Sequence, residues 1–288
     1  MLVDIIVLAS LYVLLALGYI VVYRTSRILN FAHGDVFMVG GYLAFTLVSV
    51  LKITPLLALP FSLLGGAIAG VLVYIVLMAP MAGHSVFAAV LVTIGLGIVI
   101  RGITLMVFGG QSFYPGRILE ISNEPIALVG NLVASRLELY IIASSICATL
   151  ALLAFFRYSS LGIRMRAASE DSRLASFRGI NIHVLFALSW AIATSIAMYT
   201  SVLYSFNQQV NPSLSEIALR GLAVALVGGM DSIKGAVPAA LLIAALEIAT
   251  QRYISPQASE AVPFMMLVLV LLVRPWGFLG TKESIDRI

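Results

Sequence analysis

Arg157–Asn181 reads RYSSLGIRMRAASEDSRLASFRGIN, and it is the one long stretch of the chain that cannot lie in a hydrocarbon layer. It carries seven of the chain's thirty Lys, Arg, Asp and Glu residues in twenty-five positions. Apolar runs close in on it from both sides. Read outward from this loop, the chain has 61% hydrophobic and 10% charged residues over 288 positions, with a mean hydropathy of +1.08. Soluble domains carry about 25% charged residues, and a water-soluble fold of this composition would need a core larger than the length can enclose.

Apolar runs fall at about 2–22, 32–51, 56–79, 85–108, 137–156, 184–206, 217–231, 235–252 and 262–279. Most approach the ~20 residues that cross a bilayer. In lipid the backbone must satisfy its own hydrogen bonds, which leaves helices or a closed barrel. A barrel would show alternating segments of about ten residues, and runs such as LLIAALEIA do not alternate. The expected fold is therefore all-α, a polytopic transmembrane helical bundle of about 8–10 spans, some broken or re-entrant, forming a single domain over 1–288. The opening MLVDII has no basic residue and no clear cleavage site, so the first run is taken as a retained span.

Basic residues orient the bundle. If 157–182 is a cytoplasmic loop, eleven Lys and Arg fall inside against four outside, with Arg101 and Arg220 inside apolar runs. The N-terminus is then periplasmic, the C-terminus cytoplasmic, and 109–136 the longest periplasmic loop, with room for a short interfacial helix near Ile126–Leu132. The net charge of +4 follows from this asymmetry; no basic patch interleaved with aromatics points to nucleic acid. The one cysteine, Cys147, lies in an apolar run as a small packing residue and precludes an intramolecular disulfide.

Three stretches carry candidate function. In Asn30-Phe31-Ala32-His33-Gly34-Asp35, Asn30 suits an N-cap and Asp35 the positive end of a helix dipole. That account leaves an ionisable His33 beside Gly34 at the membrane edge unexplained, and Asn30, Phe31, His33, Gly34 and Asp35, with Arg101, are candidates for translocation or gating. In Ile217–Ala240, an apolar run of about fifteen residues is cut by Gly228, Gly229, Asp231 and Lys234. Short, glycine-broken segments bring helix ends to a transport pathway; a tight hairpin between ordinary spans is the other reading, with Asp231 and Lys234 paired across one turn and Arg220 snorkelling. Arg101 pairs with an acid such as Glu247, reaches the interface, or lines a polar cavity. Gly66 and Gly70 have the spacing of close helix packing.

In the polar loop, Ser169 is placed to cap a helix with Glu170 and Asp171 in its first turn, Arg173 and Arg178 toward its end and Gly179 as its stop. Nine residues do not hold a helix alone in water, and the few apolar positions (Leu174, Ala175, Phe177) suit a protein groove better than a bilayer. No phosphate-binding loop and no His/Cys cluster with zinc spacing occurs, so neither nucleotide nor metal is expected in this chain. One Cys, three His and no clustered acids give no constellation for a membrane enzyme.

Three ordered motifs together resemble one family. YRTSRILNFAHGDVFMVGGY at Tyr23–Tyr42 resembles the NFAHG signature of LivH/LivM-type permeases of ABC importers. LGIRMRAASEDSRLASFRGIN resembles their cytoplasmic coupling loop. LVGGMDSIKGAVPAALLIAALE followed by LLVRPWGFLG resembles their C-terminal signature. The intact NFAHG favours the LivH branch; family members often have Glu where this chain has Asp35, which keeps the acid.

The resemblance implies a multi-pass permease of the bacterial inner membrane working by alternating access. Its implied partners are a second homologous permease in a heterodimer, two ATP-binding subunits that hold ATP and Mg, and a periplasmic substrate-binding protein. It places Gly162, Arg164, Arg166, Ala167, Ser169, Glu170, Asp171, Arg173, Arg178, Gly179 and Ile180 in the coupling loop, and Asn30 to Gly34 in the N-terminal signature. The implied cargo is a small polar solute, foremost a branched-chain or other amino acid, with urea and organic acids also within the family. The competing expectation, from the residues alone, is an ion- or proton-coupled secondary transporter or channel using His33 and Asp35 without ATPase partners.

Overall fold

A computed structural model describes residues 1–118, 125–127 and 133–281. Every apolar run forms a helix over most of its length. The elements are α1 (Leu2–Ser26), α2 (His33–Phe45, continued by a π-helical turn Thr46–Val50), α3 (Pro55–Val73, continued by tighter and wider turns to Met81), α4 (Val86–Phe108) and the short α5 (Pro115–Ile118). After the strands β1 (Pro125–Ala127) and β2 (Val133–Ser135) follow α6 (Arg136–Tyr158), α7 (Ser160–Glu170), α8 (Ser172–Phe177) and α9 (Ile182–Asn207). The chain ends with α10 (Leu214–Gly228), α11 (Ile233–Tyr253), the short α12 (Pro256–Ser259) and α13 (Val262–Val273). Among the described residues, eight helical segments are long and apolar enough to cross a membrane; α10, at 15 residues, is not one of them.

α1 is the axis of the bundle, contacting α6, α9, α10 and α11. Its side chains from Tyr12 to Val22 are almost all buried. α2 lies on α9 and α10, α3 on α9, and α13 on α10 and α11, while α4 touches the bundle mainly through α2. Lipid supplies no hydrophobic drive between helices, so small residues that let backbones meet set these contacts. A Cβ on Gly66 would stand 2.5 Å from Ser195 Cα, and Gly70 presses against Trp190 and Thr194 of α9. The Thr194 hydroxyl donates to the Gly66 carbonyl at 2.6 Å, as the hydroxyl of Ser195 does to Leu63 at 2.8 Å. The Gly66–Gly70 reading thus holds. Cys147, by contrast, is exposed on the outer side of α6.

Two expectations fail here. Ile126 is in β1, paired antiparallel with Ala134 of β2; β-branched Ile126 and Val133 favour extended backbone over helix, and 128–132 lie outside the described residues. The polar loop forms two helices in place of one. Ser159 caps the first, accepting from Gly162 N at 2.9 Å, and that helix runs through Ser169, whose hydroxyl bonds back to the Arg166 carbonyl at 2.8 Å. Asp171 breaks the run and accepts from Leu174 N at 2.9 Å, capping α8. The earlier cap won because LGIRMRAA after it contains mostly good helix formers. Gly179 at φ +76° ends α8 as expected.

The last apolar run is helical only to Val273. Beyond it, Arg274–Gly280 folds back on the end of α10: Phe278 N donates to Val227 O at 2.8 Å and Leu279 N to Gly228 O at 3.1 Å. Asp231 accepts from Thr281 N at 3.1 Å, and no Asp231–Lys234 ion pair forms among the described residues.

Two substitutions test the packing rule. Gly66→Ala should cost roughly 1–3 kcal/mol of unfolding free energy in mixed micelles. Gly95→Ala, whose Cβ meets nothing within 4 Å, should stay within about 0.5 kcal/mol of the parent.

Candidate functional site

α2 does not begin at the membrane edge. Its first residue, His33, lies against Gly18 of α1, eight residues before the end of that helix, or about 12 Å along it. Residues 28–31 therefore run back beside α1 outside the two helices, while Arg27 N still bonds to Tyr23 O and Ala32 O accepts from Val36 N. Their polar groups are answered by side chains: Phe31 N donates to Thr93 Oγ1 of α4 at 3.1 Å, and Ala32 N to Asn30 Oδ1 at 3.1 Å. The N-cap position is consequently Ala32, and Asn30 closes the turn before it. Non-helical backbone at this depth is tolerated only where it is enclosed by protein or lines a cavity.

α10 is the second helix to start inside. Its first turn abuts the same region: a Cβ on Gly34 would stand 2.7 Å from the Ser215 carbonyl, and on Gly41 2.9 Å from a Leu214 methyl. Between the starts of α2 and α10 lies an ion pair. The Arg101 guanidinium, from α4, donates to Asp35 Oδ1 at 3.1 Å through Nε and NH2, and from NH2 to Ser215 Oγ at 2.8 Å. Asp35 packs against Gly97, the central residue of α4, so the carboxylate stands near the middle of a full span. The sequence suggested Glu247 for Arg101; the structure gives it Asp35. Glu247 instead receives Arg220 NH1 at 2.6 Å and the Tyr12 hydroxyl at 2.7 Å. The side chain of Arg220 is 20% exposed, and its NH2 also lies 3.8 Å from the exposed Glu260 carboxylate, so it pairs with a buried acid on one side and reaches toward the surface on the other.

The Asp35 side chain is 8% exposed and that of Arg101 45%. Their outer side opens into a cavity of about 550 Å³, walled by Phe31, Ile94, Ile98 and Leu105. The wall is the flank of α4 that no other described element covers. On the inner side the ring of His33 lies 4.3 Å from that of Tyr19. Both His33 nitrogens, the Tyr19 hydroxyl and Asn30 Nδ2 are buried without a hydrogen-bond partner, the Leu15 carbonyl lying near the imidazole outside bonding geometry. Buried polar groups are normally paired, so such a cluster marks room for water or for a different arrangement of the same helices.

Asn30, Phe31, His33, Gly34, Asp35 and Arg101 thus come together. Gly228, Gly229 and Asp231 do not join them: they lie at the far end of α10, about 20 Å from Ser215, in the hairpin to α11. There Gly228 meets Gly235 backbone to backbone, and Gly229 adopts φ +105°. Of the loop residues, Gly162, Arg164, Arg166, Ser169 and Glu170 are in α7, Asp171 is the joint, Arg173 is in α8, and Arg178 and Gly179 follow it. Ser215 and the Tyr12–Glu247–Arg220 cluster were missed by sequence reasoning. A buried-glutamate signal was available in Glu247, an acid inside the apolar run LLIAALEIA.

A double-mutant cycle checks the central pair. Asp35→Asn and Arg101→Gln should each destabilise the fold, and the double variant should recover a coupling energy of about 1–3 kcal/mol. Strict additivity would mean the two charges are independently solvated.

Residues 1–271 match the family described as branched-chain amino acid transport system / permease component. The high-affinity branched-chain amino acid transport system permease protein LivH of Salmonella typhimurium is 31% identical over 96% of this chain and 93% of that protein. LivH of Escherichia coli is 30% identical over the same shares, and BraD of Pseudomonas aeruginosa 28% over 95% and 93%. PsaBC from Streptococcus pneumoniae in complex with Fab, at 13% identity and a TM-score of 0.48 over 97% of this chain and 91% of that one, is too remote a likeness to add to the assignment. With its eight membrane-length helices and full-length similarity to these transporters, the chain belongs to the branched-chain amino acid transport system permease family and is a multi-pass membrane protein.

Proposed function

We propose that the chain is the permease subunit of an ABC importer for a small polar solute, a branched-chain or other amino acid. In this reading a periplasmic binding protein delivers the solute, and ATPase subunits holding ATP and Mg drive the cycle through α7 and α8. A second homologous permease completes the pathway. The chain itself is not an enzyme.

The observation that carries the proposal is the construction of the 157–181 loop. α7 is anchored in the bundle: Met165 and Ala168 are buried in one cluster with Phe156 of α6 and the core of α1. α8 presents the opposite character. Leu174 is 63% and Phe177 87% exposed, within the charged stretch 157–181. Two apolar side chains on a short capped helix suit a groove in a soluble partner, and the anchored α7 would carry the partner's motion to α1. In this reading the loop is cytoplasmic, with a periplasmic N-terminus and a cytoplasmic C-terminus, an orientation that the excess of basic residues on the loop's side supports.

At the centre, Asp35 and Arg101 offer both signs of charge, and a zwitterionic amino acid can compete for each.

Copurification tests the assembly: the tagged chain should bring a homologous permease and two ATP-binding subunits, and uptake at full rate after inactivating those subunits would overturn the proposal. Leu174→Pro tests the loop. Proline removes the N–H that Asp171 holds, so uptake in reconstituted complexes should fall about tenfold while ATP hydrolysis and assembly persist. Undiminished uptake would reduce the loop to a connector.

A further inference from the structure

A second cavity, of about 660 Å³, opens between the ends of α1, α6 and α11 on the side of the bundle that carries α7. Its polar wall is made of Arg24, Arg157, Arg166 and Lys234, and its single acid is Asp231. That acid is already engaged, accepting from Thr281 N through both carboxylate oxygens. Among the described residues none of the four cations forms an ion pair. Arg166 and Arg24 are close enough to repel each other, with Arg24 resting over the Phe156 ring at 4.8 Å. Arg166 Nε is buried without a hydrogen-bond partner.

Four cations around one acid leave an excess of positive charge, which calls for an anion. The rest of the wall says which kind. Leu150, Leu153 and Ala154 continue the cavity along α6, and Leu150 is 61% exposed on that helix. A headgroup phosphate fits among the cations, and an acyl chain fits the apolar lane. A free inorganic anion would leave the lane unused. Basic pockets between membrane helices at one face bind anionic headgroups on the same logic.

We propose that this cavity is a binding site for an anionic phospholipid, with its phosphate held by Arg24, Arg166 and Lys234, Arg157 at the rim, and one acyl chain lying on Leu150, Leu153 and Ala154. The occupant braces the junction of α1, α6 and α11, the place where α7 enters the bundle.

The test uses the full-length protein in detergent, with its unfolding temperature followed as lipid is added and bound lipid counted by native mass spectrometry. Phosphatidylglycerol should raise the unfolding temperature by several degrees more than phosphatidylcholine of the same chains, and inorganic phosphate alone should leave it unchanged. Arg166→Gln and Lys234→Gln should each remove most of that difference; Arg164→Gln, outside the cavity, should keep it. Should Arg166→Gln fail to fold, Arg157→Gln at the exposed rim answers the same question. Equal stabilisation by both lipids, or the whole shift from phosphate alone, would overturn the proposal. So would a phosphatidylglycerol effect seen only after deleting 282–288, which holds Glu283 and Asp286, since the tail would then be the occupant.

Discussion

Inside a membrane a charge or a bare backbone group has no water to fall back on, and the Asp35–Arg101 pair is where this chain meets that constraint most directly. Two helices begin within the layer, and each beginning leaves amides without intrahelical partners. Asp35 stands in the first turn of one and Ser215 in the first turn of the other. The guanidinium of Arg101 binds both. One side chain from a peripheral helix thereby ties together two helix starts that would otherwise be loose ends in an apolar medium. Removing either charge leaves the other stranded, which is more costly than never having had the pair.

A second internal cluster follows the same rule by different means. Glu247 of α11 accepts from Tyr12 of α1 and Arg220 of α10, so the three helices forming the middle of the bundle share one carboxylate. Away from these clusters the contacts are dry and depend on glycine, as between α3 and α9. The molecule therefore has rigid seams where backbones touch and polar joints where charges meet. Polar joints have more than one satisfactory arrangement, and the unpartnered His33 and Tyr19 lie beside the most central of them.

Helix existence was legible from the sequence because bilayer thickness sets the length of an apolar run, and all nine runs became helices. Local stops and caps were legible where a single residue decides them, as Gly179 does through its positive φ. The choice between Ser159 and Ser169 as cap was not, since both have the right side chain and only the sequence between them settles which helix forms first. Depth was not legible either: hydropathy cannot distinguish a helix starting at the membrane edge from one starting 12 Å inside. The partner of Arg101 is 66 residues away in sequence, and no periodicity encodes that distance. The residues from Asn30 to Asp35 were singled out for their chemistry, yet their contact with Arg101 and Ser215 exists only in three dimensions.

The shortness of α10 has a mechanical meaning. Fifteen residues make a stiff rod of about 22 Å, with no proline to bend it. One end is gripped by Arg101 through Ser215, and the other is clamped by the returning strand of chain at Phe278 and Leu279. The rod is thus fastened at both ends, by a side chain of α4 at one and by the backbone of residues 278–279 at the other.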